Sequence, residues 1–244
     1  NIAQGGMESI RRNLQGNWDC GSDDGEEMVP RSVVEQMFDN AEQTDGRYTL
    51  AVDVALKGGD STVITVMNGM HIHDIGIYPY FATGTDLKAV VDRYMRQYNI
   101  REDDLTYDQV GNGQVLLEYK RAYGVQPNAK PLNDDQSFDK LKSQIMWQLG
   151  SLLLNSKISC DENLSYKRFE YGRQGKISFR DILFAEIKAL RIDESDGKTK
   201  MLGKKGMKSI LGHSPDVLES LAYAITKTLI KRKQRSMKKG LQYL

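Results

Sequence analysis

The run from Tyr48 to Met67, YTLAVDVALKGGDSTVITVM, constrains this chain more than any other stretch, because it places a carboxylate, Asp53, inside an otherwise apolar strand. Leu50, Val52 and Val54 alternate with Ala51 and Ala55 around it, and a second apolar run, Val63 to Met67, follows Gly58-Gly59. Two β-branched runs about a Gly-Gly turn read as a β-hairpin. An ionised carboxylate in a buried strand is costly unless a cation meets it. Asp53 therefore either caps the turn at its strand end or holds a metal ion or a basic partner.

The following residues extend the hairpin into a sheet. Asn68-Gly69 is a tight-turn dipeptide, and His71 to Phe81 supplies a third strand, which completes an antiparallel meander. Thr85 to Tyr98 carries Leu87, Val90, Val91, Tyr94 and Met95 at helical spacing. Asp103–Val110 reads as a strand, Gln114–Tyr123 as a helix and Val125–Ala129 as a strand, and such β-α-β units demand parallel pairing. The expected fold is α/β, with a mixed sheet (antiparallel three-stranded meander, then parallel strands) flanked by helices.

Further on, Phe138–Leu154 is a long amphipathic helix with Leu141, Ile145, Trp147, Leu149 and Leu152. Tyr166–Tyr171 and Lys176–Phe179 pair around Gly172–Gly175, Asp181–Lys188 is helical, and Ala189–Asp193 with Lys198–Leu202 flank an Asp196-Gly197 turn. Ser214-Pro215 has the N-cap and first-turn chemistry of a last helix whose buried stripe is Leu218, Leu221, Ala222, Ile225 and Leu229. Ahead of the sheet, residues 1–45 are polar and glycine-punctuated and read as a linker ending in one short helix, Pro30–Phe38; the start at Asn1 suggests a fragment of something longer.

Composition excludes several classes. At 244 residues with 39% hydrophobic and 27% charged residues, the chain can bury a full core. It lacks the apolar run of about 18 residues that a membrane helix needs. Cys20 and Cys160 have no CxxC spacing, which argues against a zinc site built on them and fits a reducing compartment. The net charge of +1 conceals a segregation: Lys198–Leu244 holds 12 Lys/Arg against 2 Asp/Glu, so the remainder is acidic. Either a polyanion meets the C-terminal part, or residues 231–244 are a solvated basic tail.

Two further acids share the prominence of Asp53. Asp108 ends a strand just before Gly111-Asn112-Gly113, where ligands collect in open α/β sheets. Asp216 opens the last helix, where the macrodipole favours a carboxylate, and Glu219 shares its face. An acid on the first strand of a meander, one ending the next parallel strand and one opening the C-terminal helix is the layout of the ribonuclease H-like fold.

The segments GRYTLAVDVA (46–55), GGDSTVI (58–64), YDQVGNG (107–113) and LGHSPDVLESLAYA (211–224) resemble the nuclease domain of tailed-bacteriophage terminase large subunits, and LQGNWD (14–19) resembles the end of their packaging ATPase. The last long motif is the distinctive one, and it departs from the family pattern at Glu219-Ser220, where such sequences often have Ala-Asp. No G-x-x-x-x-G-K-[ST] loop occurs, so the ATPase half is missing from this chain. The resemblance implies residues 46–230 as the nuclease domain and a metal-dependent endonuclease that cuts double-stranded concatemeric viral DNA. Two Mg2+ or Mn2+ ions about 4 Å apart would be held by Asp53 as bridge and by Asp108 and Asp216. His213 is a candidate nitrogen ligand or proton carrier, and Asp60 a candidate through water; the alternatives are a backbone-bonded histidine and a turn-capping aspartate. The resemblance further implies a small terminase subunit and a portal protein as partners, no membrane, and a phage-encoded protein in the bacterial host cytoplasm.

Lys204, Lys205 and Lys208 are the expected DNA contacts, in a hairpin and loop beside Asp216. Two other readings remain open. GGDST after a strand Asp is similar to the phosphate hairpin of sugar-kinase and actin-like ATPases, and a non-catalytic module could dock DNA or a portal through its basic tail.

Overall fold

The computed structural model describes residues 26–56, 59–171, 175–193 and 197–240. The Leu14–Asp19 stretch, Cys20, Gly58 and Asp196 lie outside them. The chain opens with β1 (Glu26–Glu27) and the short helix α1 (Arg31–Gln36). The meander follows as β2 (Tyr48–Asp53), β3 (Thr62–Asn68) and β4 (His71–Tyr78), antiparallel throughout. At the second turn Gly69 takes φ +64°, and a Cβ there would lie 2.6 Å from the Gln43 carbonyl oxygen, so glycine is required on both counts.

Helix α2 (Gly84–Gln97) starts at a capping box: Thr83 Oγ1 accepts the Asp86 N–H at 3.2 Å, and Asp86 Oδ2 accepts the Thr83 N–H at 2.9 Å. Strand β5 (Leu105–Asp108) then lies parallel to β2, and β6 (Tyr123–Val125) parallel to β5. The helix expected over Gln114–Tyr123 does not form; Gly111–Leu116 is a 3-10 turn. Gly111 sits at φ +62° and Gly113 packs against the Asp108 carbonyl, so the chain is folded tightly onto the strand end before a regular helix can start. Leu116 and Tyr119 still fill the space beneath α2.

Helix α3 (Leu141–Leu154) begins three residues later than the periodicity predicts, and Phe138 instead bridges to Thr199. Next come β7 (Ser159–Cys160), α4 (Glu162–Tyr166), the β8 (Arg168–Glu170) and β9 (Lys176–Ser178) hairpin, and α5 (Phe179–Glu186). Strands β10 (Arg191–Asp193) and β11 (Lys200–Met201) pair as expected, and β1 joins them. Lys204 to Lys208 belong to a helix, α6 (Lys204–Leu211), where a loop was expected. The last helix, α7 (Asp216–Gly240), continues through the first ten residues of the expected tail.

The main sheet has the order β6-β5-β2-β3-β4-β7, mixed as expected. Alternation along β2 divides its side chains between the two faces. Leu50 and Val52 join Ile64 and Val66 beneath α2, while Ala51 joins Val63 and Met67 in a larger core with α3, α5 and α7. Met28, Val29, Val34, Met37 and Phe38 belong to that larger core, so the described part of residues 1–45 is built into the fold and is not a linker. Among the described residues no helix is long and apolar enough to cross a membrane.

Candidate active site

The parallel register pairs Val52 with Tyr107, so the next residues, Asp53 and Asp108, end adjacent strands side by side. Strands at this spacing lie about 4.8 Å apart. Helix α7 packs across β2, β3 and β5 and brings its first turn to the same edge. Asp216, Glu219 and Tyr223 recur at helical spacing on its inner face, all at most 4% exposed. Ser220 stitches this helix to the sheet, with its Oγ 2.8 Å from Thr65 Oγ1 and donating to the Val63 carbonyl at 3.2 Å.

Charge crowding defines the centre. Burial raises the Asp53 carboxyl well above its ordinary range, and Glu219, Asp216 and Asp108 push it further in that order, with Lys204 opposing. Burial pushes Asp216 up to about 7; Asp60 and Glu219 add to the rise, and the Ser61 N–H, which donates to Asp216 Oδ2 at 2.6 Å, works against it. Asp108 is also raised by burial, then by Glu219, while the Val110 N–H donates to its Oδ1 at 2.9 Å and lowers it. The turn-capping reading of Asp108 is thus realised at one oxygen. Tyr223, 1% exposed, has its hydroxyl pushed well above the ordinary range by burial and then by the charges of Asp53, Glu219 and Asp108.

The three aspartates stand together, but they do not form a tight cage: among the described residues, no trio drawn from them has ligand atoms all within 4.8 Å of one another. Asp60 is held by Lys208, at 2.9 and 3.1 Å, and by Lys204 at 3.5 Å. Burial alone would raise its carboxyl, yet these lysines hold it below the usual aspartate range. Lys204, half-exposed, is the cation that also faces Glu219, Asp53 and Asp216. His213 donates Nδ1–H to the Ser214 carbonyl at 2.7 Å and packs edge-on against Tyr171, which leaves Nε2 as its only nitrogen for a metal.

Three contributors carry more of the site than the sequence alone indicates. Glu219, on the Asp216 face, is 3% exposed, foremost among the charges on Asp53, and paired with Lys142 at 2.5 Å. Its i+3 spacing from Asp216 was the available signal. Lys142 gave none, because only the packing of α3 on α7 delivers it. Glu186 is the third. Its fully buried carboxylate accepts the Leu218 N–H at 2.6 Å, the Val217 N–H at 3.4 Å and the Tyr171 hydroxyl. It thereby takes the free amides at the start of α7, the role expected of Ser214. Its carboxyl is raised well above the ordinary range by burial and by Asp216.

No family model and no curated protein sequence matches the chain. Solved structures do. The nuclease domain of the large terminase subunit gp2 of bacterial virus Sf6 superposes with a TM-score of 0.65 at 16% identity, over 82% of this chain and 98% of that one. A mutant of the same domain, solved with manganese and beta-thujaplicinol, gives 0.64 at 16% identity over the same shares. The large terminase nuclease from thermophilic phage G20c gives 0.51 at 18% identity, over 82% of this chain and 97% of that one. The chain therefore has the ribonuclease H-like fold of the nuclease domains of phage large terminase subunits.

Proposed function

We propose that the chain is a divalent-metal-dependent nuclease that cuts double-stranded DNA in the setting of a phage large terminase. The observation that carries this reading is the convergence of Asp53, Asp108, Asp216 and Glu219, from two adjacent strand ends and one helix start, at the carboxyl edge of an open sheet. Three of these carboxyls are raised by burial and by one another, and Lys204 and Lys142 are the cations beside them. Such an all-oxygen set suits Mg2+ or Mn2+. Asp53, Asp108 and Asp216 would hold the ions, which when bound would supply an activated water and charge stabilisation at the leaving oxygen. The Sf6 domain has been solved with manganese and with calcium, which supports a divalent-ion site here.

The chain's own groups hold this arrangement. Ser61 and Glu186 fix the start of α7, and Lys204 and Lys208 present positive charge beside it for a DNA backbone. In the terminase setting, concatemeric viral DNA would be the substrate, an ATPase domain, a small subunit and a portal would be the partners, and the host cytoplasm the location. The sugar-kinase reading is weakened because the Ser61 amide, which would cradle phosphate, is taken by Asp216. Supercoiled plasmid incubated with this chain should be nicked with Mg2+ or Mn2+ and left intact with a chelator. A folded chain that cuts equally well without divalent metal, or with neither ion, would overturn the proposal.

A further inference from the structure

A second group of metal-ligating side chains lies away from the acid cluster. Strand β7 pairs with β4 in parallel, His71 opposite Ser159 and Ile72 opposite Cys160, and the Asp161 N–H donates to the Ile72 carbonyl at 2.9 Å. On the other side of β4 the register passes from Val66↔Asp74 to Met67↔Ile72, so His73 is the extra residue of a bulge. Bulges re-aim side chains, and here a nitrogen of His71, a nitrogen of His73 and an oxygen of Asp161 all lie within 4.8 Å of one another. Asp53 is at the far end of the meander, since it pairs through Val63 to Ile77 while His71 pairs through Asn68 to Tyr48. The two groups are separated by roughly 15–20 Å along the strands.

We propose that His71, His73 and Asp161 form a second metal site, which takes a first-row transition ion, Zn2+ foremost, and fastens the edge strand β7 to β4. Two imidazoles and a carboxylate are a zinc donor set, whereas Mg2+ prefers oxygen ligands and water. Each ligand is held by a neighbour. His71 Nδ1 lies 2.9 Å from Ser159 Oγ, which also accepts the Gln43 N–H at 3.0 Å; with Nδ1–H donating to that hydroxyl, Nε2 keeps its lone pair for the ion. The His73 ring is packed by Tyr48 and Tyr98, with centroids 5.1 and 5.5 Å away at 62° and 90°. The Asn163 N–H and side-chain amide both donate to Asp161 Oδ1, at 2.9 and 3.0 Å, which leaves Oδ2 as the ligand oxygen. A water would complete a tetrahedron. Strand β7 pairs through only two residues, so ligation across the β4–β7 seam would add a fastening where the ladder is shortest.

The test uses the full chain carrying Asp53→Asn and Asp216→Asn, which weakens ion binding at the acid cluster. Titration with Zn2+ by calorimetry should show one ion per chain at micromolar or tighter Kd and a raised Tm, and Co2+ in its place should give the visible spectrum of a tetrahedral site. Adding His73→Gln should abolish both. Adding Asp161→Asn, which keeps a good helix N-cap for α4, should weaken binding by at least the about tenfold that losing even an outer partner of a metal ligand costs. Circular dichroism shows whether each variant folds, and if His73→Gln does not, Asp161→Asn decides. The proposal fails if no Zn2+ binds up to millimolar concentration, or if stoichiometry and Kd survive these substitutions. Nuclease activity of the chain without the Asp53 and Asp216 changes should persist in the His73→Gln variant, so failure here leaves the nuclease reading standing, and the reverse.

Discussion

The backbone N–H of Ser61 donates to Asp216 Oδ2 at 2.6 Å and joins residues 155 positions apart in sequence. The contact ties the turn of the first hairpin to the start of the last helix. It thereby fixes the distance between the acid that ends β2 and the acid that opens α7, and the expected effects of substitution follow from that crowding.

Asp53→Asn should remove plasmid nicking. On the proposed reading, loss of a ligand to the ions forfeits several kcal/mol of transition-state stabilisation, about 10³-fold or more in rate. Without metal, Tm should stay level or rise, because one of four crowded carboxylates loses its charge. Asp108→Asn and Asp216→Asn should match it in activity. Cleavage at the parental rate by any of the three in a gel assay would contradict the assignment.

Lys142 and Glu219 form a pair whose side chains are only 13% and 4% exposed. Lys142→Met strands a buried carboxylate against Asp53 and should cost about 3 kcal/mol in urea unfolding. The double variant Lys142→Met with Glu219→Gln should recover most of that. Glu219→Gln alone should retain more nicking activity than any of the three aspartate variants. Additive losses in the cycle would show that the pair is not coupled.

At Gly113 a Cβ would stand 1.5 Å from the Asp108 carbonyl oxygen. Gly113→Ala must therefore displace the backbone that carries Asp108. We expect a loss of about 1–3 kcal/mol in stability together with a marked fall in nicking. Thermal melts and the plasmid assay read the two separately. Unchanged values in both would mean that the β5–β6 connection yields without moving Asp108.

The pH dependence has a defined sign. Asp216 is raised to about 7 in the folded chain, against an ordinary value near 4. Between those limits the folded state binds more protons than the unfolded state, so stability falls as pH rises from about 4 to about 7. In chelator, Tm should drop across that window, and Asp216→Asn should flatten the drop. A Tm that climbs with pH over the same range in chelator would refute the crowded-acid description.

Lys204 and Lys205 open α6 beside the acids, Lys204 already engaged with Asp60 and Lys205 exposed. Lys204→Ala with Lys205→Ala should weaken DNA binding and reduce the salt slope by up to about two phosphate contacts. Truncation after Ile230 tests the basic end of α7 by itself. If truncation removes binding and the double change leaves affinity and slope intact, the grip lies on α7.

Local chemistry made much of the architecture legible. The two apolar, β-branched runs in 48–67, the Asn68-Gly69 turn and the amphipathic runs under α2, α3 and α7 each encode their element within a few residues, so the meander, the mixed sheet and the elements that carry the three aspartates could be read in order. The 111–123 connection could not, because its apolar spacing is helical while close contact of Gly113 with the Asp108 backbone decides the path. Nor could the capping of α7: Ser214 has the right side chain, but the amides are taken by Glu186 from a helix that nothing local links to it. Lys142 and the bulge that brings His73 to His71 and Asp161 belong to the same class. A strand's period fixes which face a residue is on; which charges then meet across elements is set by register and packing, and those depend on contacts between segments from 32 to 155 residues apart.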